Sequence, residues 1–147
     1  MRILPRVLTT VGALMIAGTG IAHASVPDEA VMFKNPNCGC CAGHAEHLRA
    51  NGIKVKVVPT QQMAQVKLKT GVPAGETSCH TLSIGGYAVE GRVPFKAIEK
   101  LFKEKPKVSG LTLAGMPSGS PGMPGPKTGA FEVKSFKDGK ATLFGKF

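Results

Sequence analysis

The 147-residue chain has no tryptophan, a single tyrosine and few aromatics of any kind. Nucleic-acid surfaces interleave aromatic faces with runs of basic residues, and no such run is present, so nucleic-acid binding is not expected despite a formal net charge of +10. Acids are scarce: nine Asp and Glu stand against 19 Lys and Arg. That imbalance favours contact with anionic surfaces or an acidic partner, with most lysines forming a solvated face. No apolar run reaches the roughly 20 residues that a helix needs to cross a bilayer. No internal repeat is visible, which argues against a solenoid.

The first 24 residues carry Arg2 and Arg6, a mostly apolar stretch over residues 7–21, and then Ala22-His23-Ala24, the small-x-small form of a signal peptidase site. The expectation is a secretory signal cleaved before Ser25, with an uncleaved anchor as the alternative. Cleavage leaves 123 residues, the size of one domain, with 17 Lys and Arg and all four cysteines. The expected destination is an exported compartment, where thiols oxidise unless a metal or a reductant holds them. No stable membrane insertion is expected after cleavage.

Residues 30–33, "AVMF", read as a short buried strand broken by "NPN". Residues 41–51 have helical composition, with Ala42, Ala45 and Leu48 three apart and Gly52 as a stop. Residues 53–58 read as a second strand, which makes the opening a βαβ unit with a cysteine loop at its first turn. A second helix is expected over 61–70. A hairpin follows, with strands 81–84 and 87–90 about Gly85-Gly86. Phe95, Ile98, Leu101 and Phe102 then recur at helical spacing. The order βαβ, α, ββ, α is that of a thioredoxin-like α/β fold. Residues 115–129, rich in Gly and Pro, read as a long loop, and a closing hairpin about residues 137–140 extends the same domain.

The chemistry concentrates in "NPNCGCCAGHAEH". Cys38 and Cys41 have C-x-x-C spacing at a helix N-terminus, where backbone N–H groups stabilise a thiolate. Cys40, between them, invites scrambling in a disulfide oxidoreductase but adds a donor to a metal site. With Cys79 from a distant segment, four soft sulfurs are available, which suits Cu(I), Zn(II) or an iron–sulfur cluster. Zinc sites usually draw paired ligands from two segments, so C-x-C-C plus a lone cysteine favours a multinuclear Cu(I) site over one structural zinc. Four cysteines also permit three two-disulfide pairings, although adjacent Cys40 and Cys41 are poorly placed to bond each other. His44 and His47 either line the helix near the cysteines or simply face solvent. His80, beside Cys79, is either a further donor or a structural histidine. Met116 and Met123 offer thioethers to Cu(I), or sit in the loop incidentally. Lys137 and Lys140 read as surface charge.

The ordered motifs "NPNCGCC…H" ending at His47, "SCHT" and "MPSGSPGM" resemble the CopG-like family of exported bacterial proteins, domain-of-unknown-function family 411, over about residues 31–144. The resemblance implies a thioredoxin-like fold and copper binding through Cys38, Cys40, Cys41 and Cys79. It also implies a role in periplasmic copper redox handling, with other copper-handling proteins as partners. His47 and His80 fall on the family's histidines, whereas an aromatic residue is usual at His44. Composition and spacing alone leave metal binding and thiol–disulfide exchange by Cys38 with Cys41 or Cys40 nearly level, with a disulfide-stapled structural domain behind them. The resemblance favours copper.

Overall fold

The computed structural model describes residues 25–147, so the expected signal segment lies outside the described residues. Strand β1 (Glu29–Lys34) alternates, with Ala30 and Met32 buried. It runs parallel to β2 (Lys54–Pro59) and is joined to it by helix α1 (Cys41–Ala50). Helix α2 (Met63–Thr70) ends at Gly71, whose φ of 74° is the left-handed conformation that stops a helix. A short 3₁₀ turn (Ala74–Glu76) leads into the hairpin of β3 (His80–Ile84) and β4 (Tyr87–Gly91). Helix α3 (Phe95–Glu104), β5 (Gly110–Leu113) and the hairpin of β6 (Glu132–Lys137) and β7 (Lys140–Lys146) complete the chain. All seven strands form one mixed sheet in the order β2-β1-β3-β4-β5-β6-β7.

The predicted elements are all present, with boundaries shifted by one or two residues. One strand is additional. Strand β5 runs parallel to β4 and antiparallel to β6, and so makes the closing hairpin continuous with the first four strands. All four of its residues are buried, so it lacks the alternation that marks a strand with one wet face.

The period of two decides which side chains meet which helix. Met32, Leu82, Ile84, Val89 and Leu111 share a core with Ala45 and Leu48 of α1 and with Ile98, Leu101 and Phe102 of α3. Each of the larger of these side chains contributes roughly 1.5–3 kcal/mol on burial. Residues of opposite parity face away: Thr81 and Glu90 meet Lys67 of α2 through a buried ion pair and a hydroxyl bond, and Ala88 joins Val72 and Phe136 in a second, smaller cluster. Helix α2 itself buries no side chain, and Leu68 is 81% exposed. Its place is held by that polar contact rather than by an apolar face.

The buried face of α1 differs from the expected one. Cys41, His44, Ala45 and Leu48 form the inward stripe, and Ala42 is exposed. His44, one of two readings of which put it in solvent, is fully buried. No helix among the described residues is long and apolar enough to cross a membrane.

Gly110 is where β5 closes on β4. A Cβ there would lie 1.8 Å from the Ala88 carbonyl oxygen and 2.9 Å from the Phe136 ring. Gly110→Ala must therefore part the β4–β5 ladder or expel the ring. We expect a loss of about 1–3 kcal/mol in urea unfolding, and an unchanged midpoint would show that the sheet is not continuous through β5.

Candidate metal centre

Two chain segments supply the sulfurs, and the sheet register brings them together. Lys34 at the end of β1 pairs with His80 at the start of β3, so the residue before β3 lies against the loop that follows β1. That loop turns through a Cys38 N–H to Asn35 carbonyl bond of 3.0 Å and enters α1 at Cys41. The opposing segment is held by Ser78. Its N–H donates to the Glu90 carboxylate, and its hydroxyl donates to the Gly115 carbonyl at 2.7 Å.

Cys38 and Cys41 are joined as a disulfide with a Cα–Cα distance of 5.7 Å, while Cys40 and Cys79 are free. The free sulfurs flank the disulfide. Cys40 Sγ lies 3.6 Å from Cys38 Sγ, and Cys79 Sγ lies 3.5 Å from Cys41 Sγ. All four sulfurs lie within 4.8 Å of one another. Sulfurs bound at about 2.3 Å around one tetrahedral ion are about 3.8 Å apart. That spacing is compatible with a single ion, so the crowding seen in the sequence is not by itself a bar to one. Burial is graded: Cys40 is exposed, Cys38 and Cys79 are half-buried, and Cys41 is buried.

Behind Cys79 lie two buried histidines. His80 Nδ1 is 3.4 Å from Cys79 Sγ, His80 Nε2 is 2.7 Å from His44 Nδ1, and His44 Nε2 is 3.1 Å from the Val93 carbonyl oxygen. A carbonyl only accepts, so His44 carries its proton on Nε2 and accepts at Nδ1. His80 must then donate from Nε2, which leaves its Nδ1 lone pair facing the Cys79 sulfur. Burial holds both rings neutral. It lowers His44 to about 3, against the partial offset of the Val93 bond, with the His47 and Arg92 charges acting in the same downward direction. His80 is lowered well below the usual histidine range by burial first, then by His44, Arg92 and Lys67.

The remaining expected residues divide. His47 is half-buried, and its Nε2 accepts the Phe95 N–H at 3.3 Å, which satisfies a donor in the first turn of α3. Met116 follows Gly115, the residue anchored by Ser78, and is 52% exposed. Met123 follows Gly122, which packs backbone to backbone on α1: a Cβ on Gly43 would lie 2.7 Å from Gly122 Cα, and one on Gly122 would lie 2.4 Å from the Gly43 carbonyl carbon. Both methionines thus leave the chain beside points where the Gly/Pro loop is tied to the sulfur site.

Sequence reasoning missed Arg92. Its side chain is fully buried, donating to the Cys40 carbonyl at 2.6 Å and to the Pro121 carbonyl at 3.0 Å, so it ties the cysteine loop to the Gly/Pro loop. A lone arginine after a strand gives no local sign of this. Gly43 did leave a signal, because a glycine inside a helix often marks close backbone approach. A surface hollow of about 800 Å³ lined by the starts of β1 and β2 and by Arg49 of α1 shares no residue with the sulfur site.

Two solved structures are similar to the chain throughout. One, "Copper resistance protein copG- Form 1", is 39% identical, with a TM-score of 0.75 over 82% of this chain and 98% of that one. The chain belongs to the CopG-like family. The second, Form 2 of the same protein, is 38% identical with a TM-score of 0.75 over 84% of this chain and 98% of that one. A family model described as "Protein of unknown function, DUF411" matches residues 76–123, which run from the 3₁₀ turn through Cys79 to Met123. No curated protein matches the chain in sequence. Within this CopG-like chain the cysteine cluster is a possible metal site by geometry, and the copper resistance neighbours agree with that chemistry.

The histidine pair carries a pH signature. In the folded protein His44 stays neutral down to about 3, whereas an unfolded histidine protonates near 6.5. Between those values the unfolded chain binds more protons, so stability falls as pH falls from 6.5 towards 3. The disulfide form should lose about 1–2 kcal/mol of unfolding free energy from His44 between pH 7 and pH 5. Urea titrations at the two pH values measure this, and equal midpoints would mean that His44 is not buried neutral.

Proposed function

We propose that the protein is a periplasmic copper-binding protein of copper resistance that takes Cu(I) through the thiolates of Cys38, Cys40, Cys41 and Cys79. The observation that carries this reading is the convergence of four sulfurs, and of no carboxylate, in a chain 39% identical to a copper resistance protein. Soft thiolates select Cu(I) over hard cations. Three of the four leave one tight turn, and sulfurs arranged in that way readily bridge neighbouring Cu(I) ions, which favours a multinuclear site. The Nδ1 lone pair of His80 is a nitrogen donor at its inner edge. Met116 and Met123, exposed and half-buried in the Gly/Pro loop, are thioethers suited to passing Cu(I) inward. His47 is left out of the ligand set because its Nε2 accepts the Phe95 N–H. The strand order β2-β1-β3-β4 with its helices supports a thioredoxin-like reading of residues 29–104, and the signal-like residues 1–24 support export.

Four-thiolate binding requires the Cys38–Cys41 disulfide to open. An external dithiol supplies the two electrons. Its thiolate attacks Cys38 Sγ, more accessible than Cys41, and the Cys38–Cys41 bond breaks as a mixed disulfide forms. Its second thiol then displaces Cys38, leaving the reductant as a disulfide and its two protons on the Cys38 and Cys41 thiols. The same disulfide at a strand–helix junction supports a second reading, a thiol–disulfide oxidoreductase in which Cys38 attacks and Cys41 resolves.

Anaerobic loading of the reduced protein separates the two. We expect more than one Cu(I) per chain by metal analysis, with at least one lost in Cys40→Ser and in Cys79→Ser. A single ion per chain with zinc retained in preference to copper would sink the multinuclear copper reading. Full disulfide turnover in Cys40→Ser with no bound copper in wild type would favour the oxidoreductase.

A further inference from the structure

Beside the site lies one buried permanent positive charge that has no ion-pair partner among the described residues. Arg92 is 0% exposed and takes part in none of the ion pairs among the described residues. Its Nε is the one buried side-chain nitrogen or oxygen among those residues without a hydrogen-bond partner. Glu90, two residues away, is already held by Lys67, the Thr81 hydroxyl and the Ser78 N–H. A guanidinium does not lose its proton in proteins, and a buried cation without an anion is strongly unfavourable. Two carbonyl oxygens satisfy two of its five N–H groups without supplying negative charge.

The groups beside the Cys40 carbonyl that become negative on binding a metal are the sulfurs of the cysteine cluster. Arg92 sits behind the cysteine loop on the Cys40 carbonyl, and its charge is felt at both His44 and His80 on the inner side of the site. Those rings are neutral, so neither shares the task. We propose that Arg92 is the counter-cation of the sulfur site, a positioning residue that holds the cysteine loop and offsets the negative charge that builds up when the thiolates take Cu(I). This rests on the copper reading above.

The charge count gives the proposal a shape of its own. One Cu(I) among four thiolates leaves three negative charges uncompensated, whereas four Cu(I) ions leave none. The first ion displaces the thiol protons and creates that charge, so Arg92 favours it, whereas each later ion removes charge and gains nothing from Arg92. A residue that only clamped two loops would affect every step alike.

The test compares Arg92→Gln, which removes the charge and keeps an N–H donor, with Arg92→Lys, which keeps the charge and loses the planar fork. Stepwise Cu(I) affinities of the reduced proteins are measured anaerobically against a coloured Cu(I) chelator. Arg92→Gln should weaken the first step about tenfold or more and leave the last step no weaker than in wild type, while Arg92→Lys stays close to wild type at the first. Equal weakening of all steps, or equal losses in the two variants, would overturn the proposal. If Arg92→Gln does not fold, a folded Arg92→Lys that has lost first-step affinity overturns it and one that keeps it sustains it. A metal-free readout separates this proposal from the copper reading. The ratio of iodoacetate to iodoacetamide alkylation rates at exposed Cys40 reports local potential, and it should fall about threefold in Arg92→Gln but not in Arg92→Lys. An unchanged ratio in folded Arg92→Gln refutes the counter-charge whatever the copper results. A fallen ratio with no Cu(I) bound by wild type refutes the copper reading alone.

Discussion

The pairing of Lys34 with His80 is the contact on which the sulfur site depends. It sets the end of β1, and hence the cysteine loop, against the residue that precedes β3. It also sets parity. With His80, Leu82 and Ile84 on one face, His80 reaches His44 of α1, and Cys79 falls beside Cys41. A slip of one residue would turn His80 to the α2 face and bring Thr81 into the core, where its hydroxyl would lose Glu90. The site is therefore a product of the sheet register as much as of the cysteines.

Around that contact the chain has arranged buried polar groups in partnered chains. The Val93 carbonyl orients His44, His44 orients His80, and His80 presents a lone pair to Cys79. Lys67 and Glu90 neutralise each other beneath the Ser78 turn. Arg92 alone is left with its charge unmatched. The four sulfurs converge as a disulfide flanked by two free thiols. Of the four sulfurs, that of Cys40 is the exposed one.

Much of this was legible in advance, and the misses have physical causes. The βαβ opening, the Gly85-Gly86 hairpin and α3 announce themselves by periodicity and turn residues. Strand β5 does not, because "GLTL" is four residues long and buried throughout, so no alternation marks it. The cysteines declared a site, and the loop of residues 115–129 declared its irregularity. His44 was ambiguous because two stripes, one through Ala42 and one through Cys41, share Ala45 and Leu48. Packing chose the stripe through Cys41. His47 matched the family motif, and its Nε2 also accepts the Phe95 N–H at the start of α3, a contact between elements far apart in sequence that no local pattern signals.

What the sequence determined by itself was local: where the chain bends, which segments are helical, and that three thiols crowd the start of α1, because these follow from neighbours within a few residues. The same local reading, joined to the family motifs, pointed to copper. Tertiary structure alone decided which sulfurs lie together, which histidine turns inward and which tautomer it adopts. It alone decided that Arg92 lies beneath the cysteine loop. Those outcomes depend on strand register, helix rotation and the exclusion of water, which only the folded sheet with its helices can impose.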